Sequence, residues 1–265
     1  MTDAALAGAG LGEQVAVIGE RSARRIFRQP ALLAFPFVFP LLLFAINASG
    51  LGAAARIPGF PGASYEDFAL AVPFVQGALF VAIQAGTMIA RDIETGFLNR
   101  LSLTPLRGAA LILGQLGGAL VLGVTLSVVY LLVGVLIGVP IASGPAGALV
   151  LVALSTTIAF AFSTLGALIA IRFGTGEAVQ GFFPLLFVAL FLSSAFLPRE
   201  LIAQDWFRTI ATWNPVSYMV EGIRSLILVG WDAQALALAF GCALAILAAG
   251  LALCAASLRT RLTRT

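Results

Sequence analysis

The sequence predicts an all-α, polytopic integral membrane protein with six transmembrane helices. Of its 265 residues 60% are hydrophobic and 10% are charged, and the mean hydropathy is +1.05. Soluble domains carry about a quarter charged residues, so this composition excludes an ordinary globular protein. The charged residues are also spaced so that long stretches have none. A helix of about 20 predominantly apolar residues is enough to cross roughly 30 Å of hydrocarbon.

Six charge-free stretches set the predicted spans. They are residues 31–49, 68–90, 109–139, 147–171, 181–198 and 233–257. The third and fourth come from one charge-free run, which residues 140–146 divide because this segment holds two prolines and a glycine. The whole chain, 1–265, is predicted to form a single transmembrane domain. It consists of an N-terminal segment (1–30), the six-span region (31–257) and a tail (258–265).

The N-terminal segment carries a periodic group of arginines. Arg21, Arg24, Arg25 and Arg28 have the spacing of residues that share one face of a helix. This pattern predicts an amphipathic helix in the inner headgroup layer before the first span. The alternative is an ordinary basic flank that only sets topology.

The arginines are distributed unequally between the two sides of the predicted spans. Most lie in the N-terminal segment, in the loops after spans two and four, and in the tail. The positive-inside rule therefore places both termini in the cytoplasm, with the chain as a multi-pass protein of the cell inner (plasma) membrane. This topological bias explains the positive net charge, so we expect no nucleic-acid partner.

Residues 215–230 are apolar but contain Glu221 and Arg224. Each charged group at mid-bilayer costs about 2.5–3.5 kcal/mol, which disfavours a seventh span. We therefore predict a helix before the last span that either re-enters the membrane or lies on its surface. Because Glu221 and Arg224 are three residues apart on one helical face, we expect them to pair with each other. The alternative is a role in gating the outer exit.

Two residue types are absent from the chain. All 15 basic residues are arginine, and histidine does not occur. A phosphate-binding loop ends in Gly-Lys-Ser/Thr, so a chain without lysine has no such ATP site. Catalytic dyads and triads that use imidazole, and histidine zinc sites, are also excluded. We predict that this chain is not an enzyme and holds no metal or cofactor.

The predicted spans contain no Asp, Glu or Arg. Ion-coupled carriers usually need intramembrane charges, so this absence argues against a proton-driven antiporter. The neutral polar residues of the spans are expected mainly to pack and hydrogen-bond between helices. Alternatively, some line a pathway for an amphipathic solute. The candidates for this pathway are Gln76, Gln84, Thr156 and Ser193.

Two segments outside the spans carry motifs. The 91–107 loop reads acid-x-Glu-x-Gly, then Arg-Leu, then Thr-Pro, and its motif residues are Asp92, Glu94, Gly96, Arg100, Leu101, Thr104 and Pro105. It predicts a short helix over 92–103, since a proline disfavours helix in the preceding residue. The second motif lies between spans five and six, in the region expected to form the outer gate or a re-entrant element. Its residues are Pro198, Asn214, Pro215, Tyr218, Glu221 and Arg224.

With these motifs the chain resembles the permease subunits of ABC-2-type transporters, and most of all the daunorubicin-resistance type of efflux permease. The resemblance implies a twelve-span dimer of this chain with a second permease, identical or related, in contact with membrane lipids. Two separate ABC ATPase subunits would bind ATP and Mg²⁺ and dock on the 91–107 loop as the coupling loop, with Glu94 and Arg100 in contact. The complex would move a drug or lipid-like amphipathic substrate outward.

Functions of other classes remain as alternatives. The first is a stand-alone channel or secondary carrier. A membrane enzyme that acts on lipid is disfavoured, because the sequence has no histidines and no clustered carboxylates within its spans.

Overall fold

A computed structural model of the protein describes residues 10–28, 30–62, 64–96 and 108–262, and in these ranges all of the regular structure is helical. The all-α prediction is confirmed. The helices are α1 (Leu11–Phe27), α2 (Pro30–Leu51), α3 (Tyr65–Ala69), α4 (Ala71–Glu94), α5 (Gly108–Leu136), α6 (Gly144–Phe173), α7 (Gly176–Phe191), α8 (Asp205–Trp213), α9 (Pro215–Leu228) and α10 (Ala233–Leu262). Two short 3₁₀ turns, Gly52–Arg56 and Arg199–Leu201, follow α2 and precede α8.

Five helical segments of the described chain are long and apolar enough to cross a membrane. They are Ala34–Arg56, Tyr65–Glu94, Leu116–Leu136, Gly144–Phe173 and Ala233–Thr260, and they overlap predicted spans one to four and six. The fifth predicted span, 181–198, differs, because α7 has 16 residues and turns replace the helix after Phe191. At 1.5 Å per residue α7 is about 24 Å long, less than the hydrocarbon thickness. The six-span count therefore stays a prediction.

Helix α4 lies at the centre of the bundle. Residues 71–82 are all buried, and α5, α6 and α7 pack around the helix. The closest approach is to α6, where a Cβ on Gly166 would lie 2.0 Å from the Ala82 carbonyl oxygen and one on Gly86 would lie 2.7 Å from the Gly166 oxygen. Such small residues let two membrane helices approach until their backbones touch.

Helix α1 packs on the first turns of α5. A Cβ on Gly117 would lie 2.7 Å from the Cα of Gly19, so only glycine fits at this crossing. Ile18 and Ser22 are buried beside it. The position of α1 therefore depends on the start of α5, the helix that directly follows the 91–107 loop.

A tyrosine of α5 donates a hydrogen bond to a carbonyl of α2 that has no helical donor. Pro40 has no backbone N–H, so the carbonyl of Pro36, four residues earlier, lacks its usual helical donor. The hydroxyl of Tyr130 donates a hydrogen bond to this carbonyl in the buried interior. Gly77 of α4 leaves room for the ring, because a Cβ there would lie 2.7 Å from Tyr130 Cε2. Two spanning helices are thus joined by one hydroxyl.

Replacing Tyr130 with Phe removes the hydroxyl and leaves the Pro36 carbonyl unpaired. We expect the free energy of unfolding to fall by about 1–3 kcal/mol, the cost of an unsatisfied buried polar group. In a Pro40→Ala background, the amide of residue 40 supplies the helical hydrogen bond, so Tyr130→Phe should cost much less. The measurement is the unfolding midpoint in detergent of the wild type, both single variants and the double variant. Equal losses in the two backgrounds would contradict this explanation.

Candidate functional site

The described start of the 91–107 loop continues helix α4. The helix runs to Glu94, and Gly96 has φ 67°, the left-handed conformation that glycine adopts easily after a helix C-terminus. The prediction of a separate short helix from Asp92 is therefore wrong at its start, because nothing breaks α4 before Gly96. Four other motif residues, Arg100, Leu101, Thr104 and Pro105, lie outside the residues that the structure describes.

The two acidic residues of this motif have different surroundings. Asp92 is 4% exposed, whereas Glu94 is exposed. Glu94 Oε1 accepts a hydrogen bond of 3.0 Å from the backbone N–H of Gly176, the first residue of α7. The Thr175 hydroxyl oxygen accepts a second, of 3.4 Å, from the amide of Ala178. Glu94 thus caps a free amide at the start of α7, where a negative charge is favoured.

The second motif surrounds the end of α7 and the start of α9. Asn214 caps α9, and its Oδ1 accepts a 2.9 Å hydrogen bond from the amide of Val216. Its Nδ2 donates to the carbonyls of Ala189 and Leu192, at 2.6 and 3.0 Å, at the end of α7. Pro215 follows at the first position of α9, where the missing N–H of proline has no cost. The Asn-Pro pair therefore joins two helix ends.

Glu221 of α9 forms an ion pair with Arg199. Its other carboxylate oxygen accepts a 2.6 Å hydrogen bond from the Ser194 hydroxyl. Arg199 lies in the 3₁₀ turn that begins after Pro198, and its guanidinium carbon lies 4.6 Å from the centre of the Tyr218 ring. We call Ser194, Arg199, Asn214, Tyr218, Glu221 and Arg224 the α9 cluster.

Within the described ranges no three His, Cys, Asp or Glu side chains come together as metal ligands would.

Arg224 lies deeper in the bundle and bonds to backbone carbonyls. It is 6% exposed, and it donates hydrogen bonds to the carbonyl oxygens of Phe68, Ser194 and Ala195 at 3.2, 3.0 and 2.8 Å. Its guanidinium carbon also lies 3.5 Å from the centre of the Phe68 ring, a cation–π contact. The planar fork of N–H donors allows one side chain to reach all three carbonyls.

The predicted ion pair between Glu221 and Arg224 is therefore wrong. Glu221 pairs with Arg199, and Arg224 binds carbonyls where helices are interrupted, at the α3–α4 junction and in the turns after α7. Ser194 and Ala195 lie in turns rather than in a helix, and a buried carbonyl outside a helix needs a donor from elsewhere. Helical spacing places Glu221 and Arg224 on one face of α9, but each of them binds a group from another segment of the chain.

The four pathway candidates have different environments. Gln76 is 1% exposed, and neither polar atom of its amide has a hydrogen-bond partner among the described residues; the same holds for the Thr156 hydroxyl. Ser193 is buried and donates to the Leu190 carbonyl at 2.6 Å. Gln84 is half-buried. Ser193 thus makes an ordinary local bond, whereas Gln76 keeps its full hydrogen-bonding capacity in the core.

A row of phenylalanines crosses three helices and was not selected from the sequence. The phenylalanine row consists of Phe35 and Phe39 of α2, Phe80 of α4, Phe183, Phe187 and Phe191 of α7, and Phe196. The ring of Phe80 is central, with centroids 5.3 Å from those of Phe35 and Phe183. Phe35 and Phe191 are 56% and 51% exposed. The spacing of four residues within α2 and within α7 is the signal that could have revealed the row.

The helical fold with its apolar membrane-spanning candidates agrees with comparisons to known proteins. A family model described as ABC-2 type transporter matches residues 13–228, so the chain belongs to the ABC-2 type transporter family. It is also similar to a putative transport permease, ycf38, of Porphyra purpurea. The two are 26% identical over 218 residues, which cover 80% of this chain and 73% of that protein. This chain is thus a multi-pass membrane protein with a transport role, and its family implies an ABC ATPase partner and a dimeric arrangement.

The carbonyl contacts of Arg224 predict that lysine cannot replace it. Lysine keeps the charge, but its compact ammonium does not match three carbonyls held by a planar fork. We expect Arg224→Lys to lower the free energy of unfolding by about 2–3 kcal/mol, as for lost hydrogen bonds to a charged group. Arg208→Lys is the matched control, since Arg208 forms an exposed pair with Asp205, and it should have almost no effect. Similar unfolding midpoints for the two variants in detergent would refute this role of Arg224.

Proposed function

We propose that this chain is the transmembrane permease subunit of an ATP-binding-cassette exporter that moves an amphipathic substrate outward. The observation that carries the proposal is the family match over residues 13–228. Because the sequence has no lysine for a phosphate-binding loop, separate ATPase subunits, two per complex, bind ATP and Mg²⁺. A second permease chain, identical or related, completes the pathway within the lipid bilayer.

The arginine distribution supports an orientation with both termini in the cytoplasm of the cell and the chain in its inner (plasma) membrane. The 91–107 loop then faces the cytoplasm and forms the coupling loop on which the ATPase docks. The motif residues proposed to lie at this docking surface are Asp92, Gly96, Arg100, Leu101, Thr104 and Pro105. Glu94 belongs to the same motif, but its carboxylate binds the amide of Gly176.

In this orientation α7 and the turns after it form the fifth span, and α9 re-enters the membrane from outside. The α9 cluster supports a membrane-embedded position for α9. A charge in hydrocarbon is tolerated when it is paired or bound to backbone carbonyls. Glu221 has Arg199 as its partner, and Arg224 has three carbonyls. Together with Pro198, the cluster then forms the outer gate region.

The phenylalanine row supports an amphipathic substrate, either a drug or a lipid-like molecule. Its rings present apolar surface without charge, and both Phe35 and Phe191 leave about half of their surface uncovered. Flat or extended apolar groups of a substrate can stack on such rings, and each contact contributes only a modest binding free energy. Weak contacts of this kind suit a pathway, because the substrate must also be released. Gln76, Gln84, Thr156 and Ser193 are the neutral polar groups proposed to contact its polar part.

The partner prediction is tested by purification. The tagged chain, extracted from its host membrane, should co-purify with a soluble protein that contains Gly-x-x-x-x-Gly-Lys-Ser/Thr, with one ATPase subunit for each permease chain of the complex. The complex should hydrolyse ATP, and substitution of the lysine in the partner's loop should abolish this activity. The permease alone should show none. Solute flux through liposomes that contain only this chain would contradict the proposal and favour a channel or carrier.

The substrate prediction is tested with daunorubicin as the probe. Phe187 touches Phe39, Phe80, Phe183 and Phe191, so Phe187→Ala should lower ATP-dependent daunorubicin transport about tenfold, the loss expected for one or two aromatic contacts. Phe173→Ala is the matched control, because Phe173 is exposed and lies outside the row. Its transport rate should stay near that of the wild type. Equal rates for both variants would exclude the row as the pathway surface.

A further inference from the structure

We propose that Glu94 transmits movement of the 91–107 loop to helix α7, and that it acts through the backbone of α7 rather than by contact with the ATPase. Glu94 is then a positioning residue for the pathway helix. This inference rests on the proposed function and concerns how a displacement of the coupling loop reaches the pathway.

The first step of the argument is the attachment of α7 to the end of α4. The carboxylate of Glu94 accepts the 3.0 Å hydrogen bond from the amide of Gly176. Two turns earlier, the methyl group of Thr87 lies 3.9 Å from the position of a Cβ on Gly176. One turn further along α7, Val179 contacts α4 as well, because a Cβ on Gly86 of α4 would lie 2.7 Å from Val179 Cγ1. The start of α7 therefore lies directly against the last turns of α4.

The second step concerns why a carboxylate holds this position. The first amides of a helix have no helical acceptors, and together they carry about half a positive charge. A hydrogen bond from such an amide to an ionised carboxylate is stronger than one between neutral groups. Glu94 is two residues before Gly96, where α4 has ended and the loop begins. Any shift of the loop that moves Glu94 thus pulls on α7.

The third step is the attachment at the other end of α7. Asn214 holds the carbonyls of Ala189 and Leu192, and the Ser217 hydroxyl oxygen accepts a 3.1 Å hydrogen bond from the amide of Ser194. Between these two attachments, α7 carries three residues of the phenylalanine row. Helix α7 is therefore the element that connects the loop, the phenylalanine row and the α9 cluster.

The test uses hydrogen–deuterium exchange of the permease–ATPase complex in lipid nanodiscs, without nucleotide and with ATP plus vanadate. The variants are Glu94→Ala, which removes the acceptor, and Glu94→Gln, which keeps an acceptor oxygen. Glu177→Ala is the matched control, because Glu177 is an exposed carboxylate in the first turn of α7. The informative peptides cover residues 175–180 and 189–196.

In Glu94→Ala we expect exchange at 175–180 to be about tenfold faster, as for the loss of one hydrogen bond to a charged group. The change that ATP plus vanadate causes at 189–196 in the wild type should disappear, while the ATPase remains bound and hydrolyses ATP. Glu94→Gln should restore both signals in large part, and Glu177→Ala should behave as the wild type.

Three results would overturn the inference. The first is unchanged exchange at 175–180 in Glu94→Ala. The second is a persistent nucleotide response at 189–196 in that variant. The third is loss of the ATPase from the Glu94→Ala complex alone, which would assign Glu94 to the ATPase contact. A wild-type chain that binds no ATPase would instead refute the proposed function and with it this coupling role, while exchange at 175–180 in the permease alone would still report on the Glu94 contact.

Discussion

The structure depends on one constraint, namely that backbone groups freed by a helix interruption need a new partner where water is excluded. Proline in α2 frees the carbonyl of Pro36, and Tyr130 of α5 donates to it. The end of α7 frees carbonyls that Asn214 and Arg224 bind. Each of these hydrogen bonds joins one helix to another helix or to the turns that follow it.

Helix α9 illustrates how this constraint builds a rigid element that is too short and too charged to be a simple span. Asn214 caps its start. At its other end the amides of Ala142 and Ser143 donate to the carbonyls of Ile227 and Leu226 at 2.9 and 3.1 Å, and the Ser143 hydroxyl donates to Leu226 at 2.8 Å. The start of α9 is thus closed by its own N-cap residue and its end by another segment. The helix can therefore hold Arg224 in the interior.

The predictions succeeded where the governing property is local along the chain. The spans in α2, α4, α5, α6 and α10 were found because hydropathy alone decides them. The spacing rule failed for Glu221 and Arg224, because the turns after α7 bring Arg199 and the carbonyls of Ser194 and Ala195 to these side chains. The phenylalanine row was missed because it forms only when three helices meet. The motif residues in 97–107 stay predictions, since they lie outside the described residues.

By itself the sequence determined that this protein is an all-helical membrane protein without a phosphate-binding lysine, and its motifs indicated the ABC-2 family. These properties follow from composition and short spacing, which are present before the chain folds. Only the tertiary structure decided that Glu94 caps α7 and that Arg224 binds carbonyls of the helix junctions. The physical reason is distance along the chain: the partners are 82 residues apart for Glu94 and Gly176 and 156 apart for Arg224 and Phe68, so only helix packing brings them into contact.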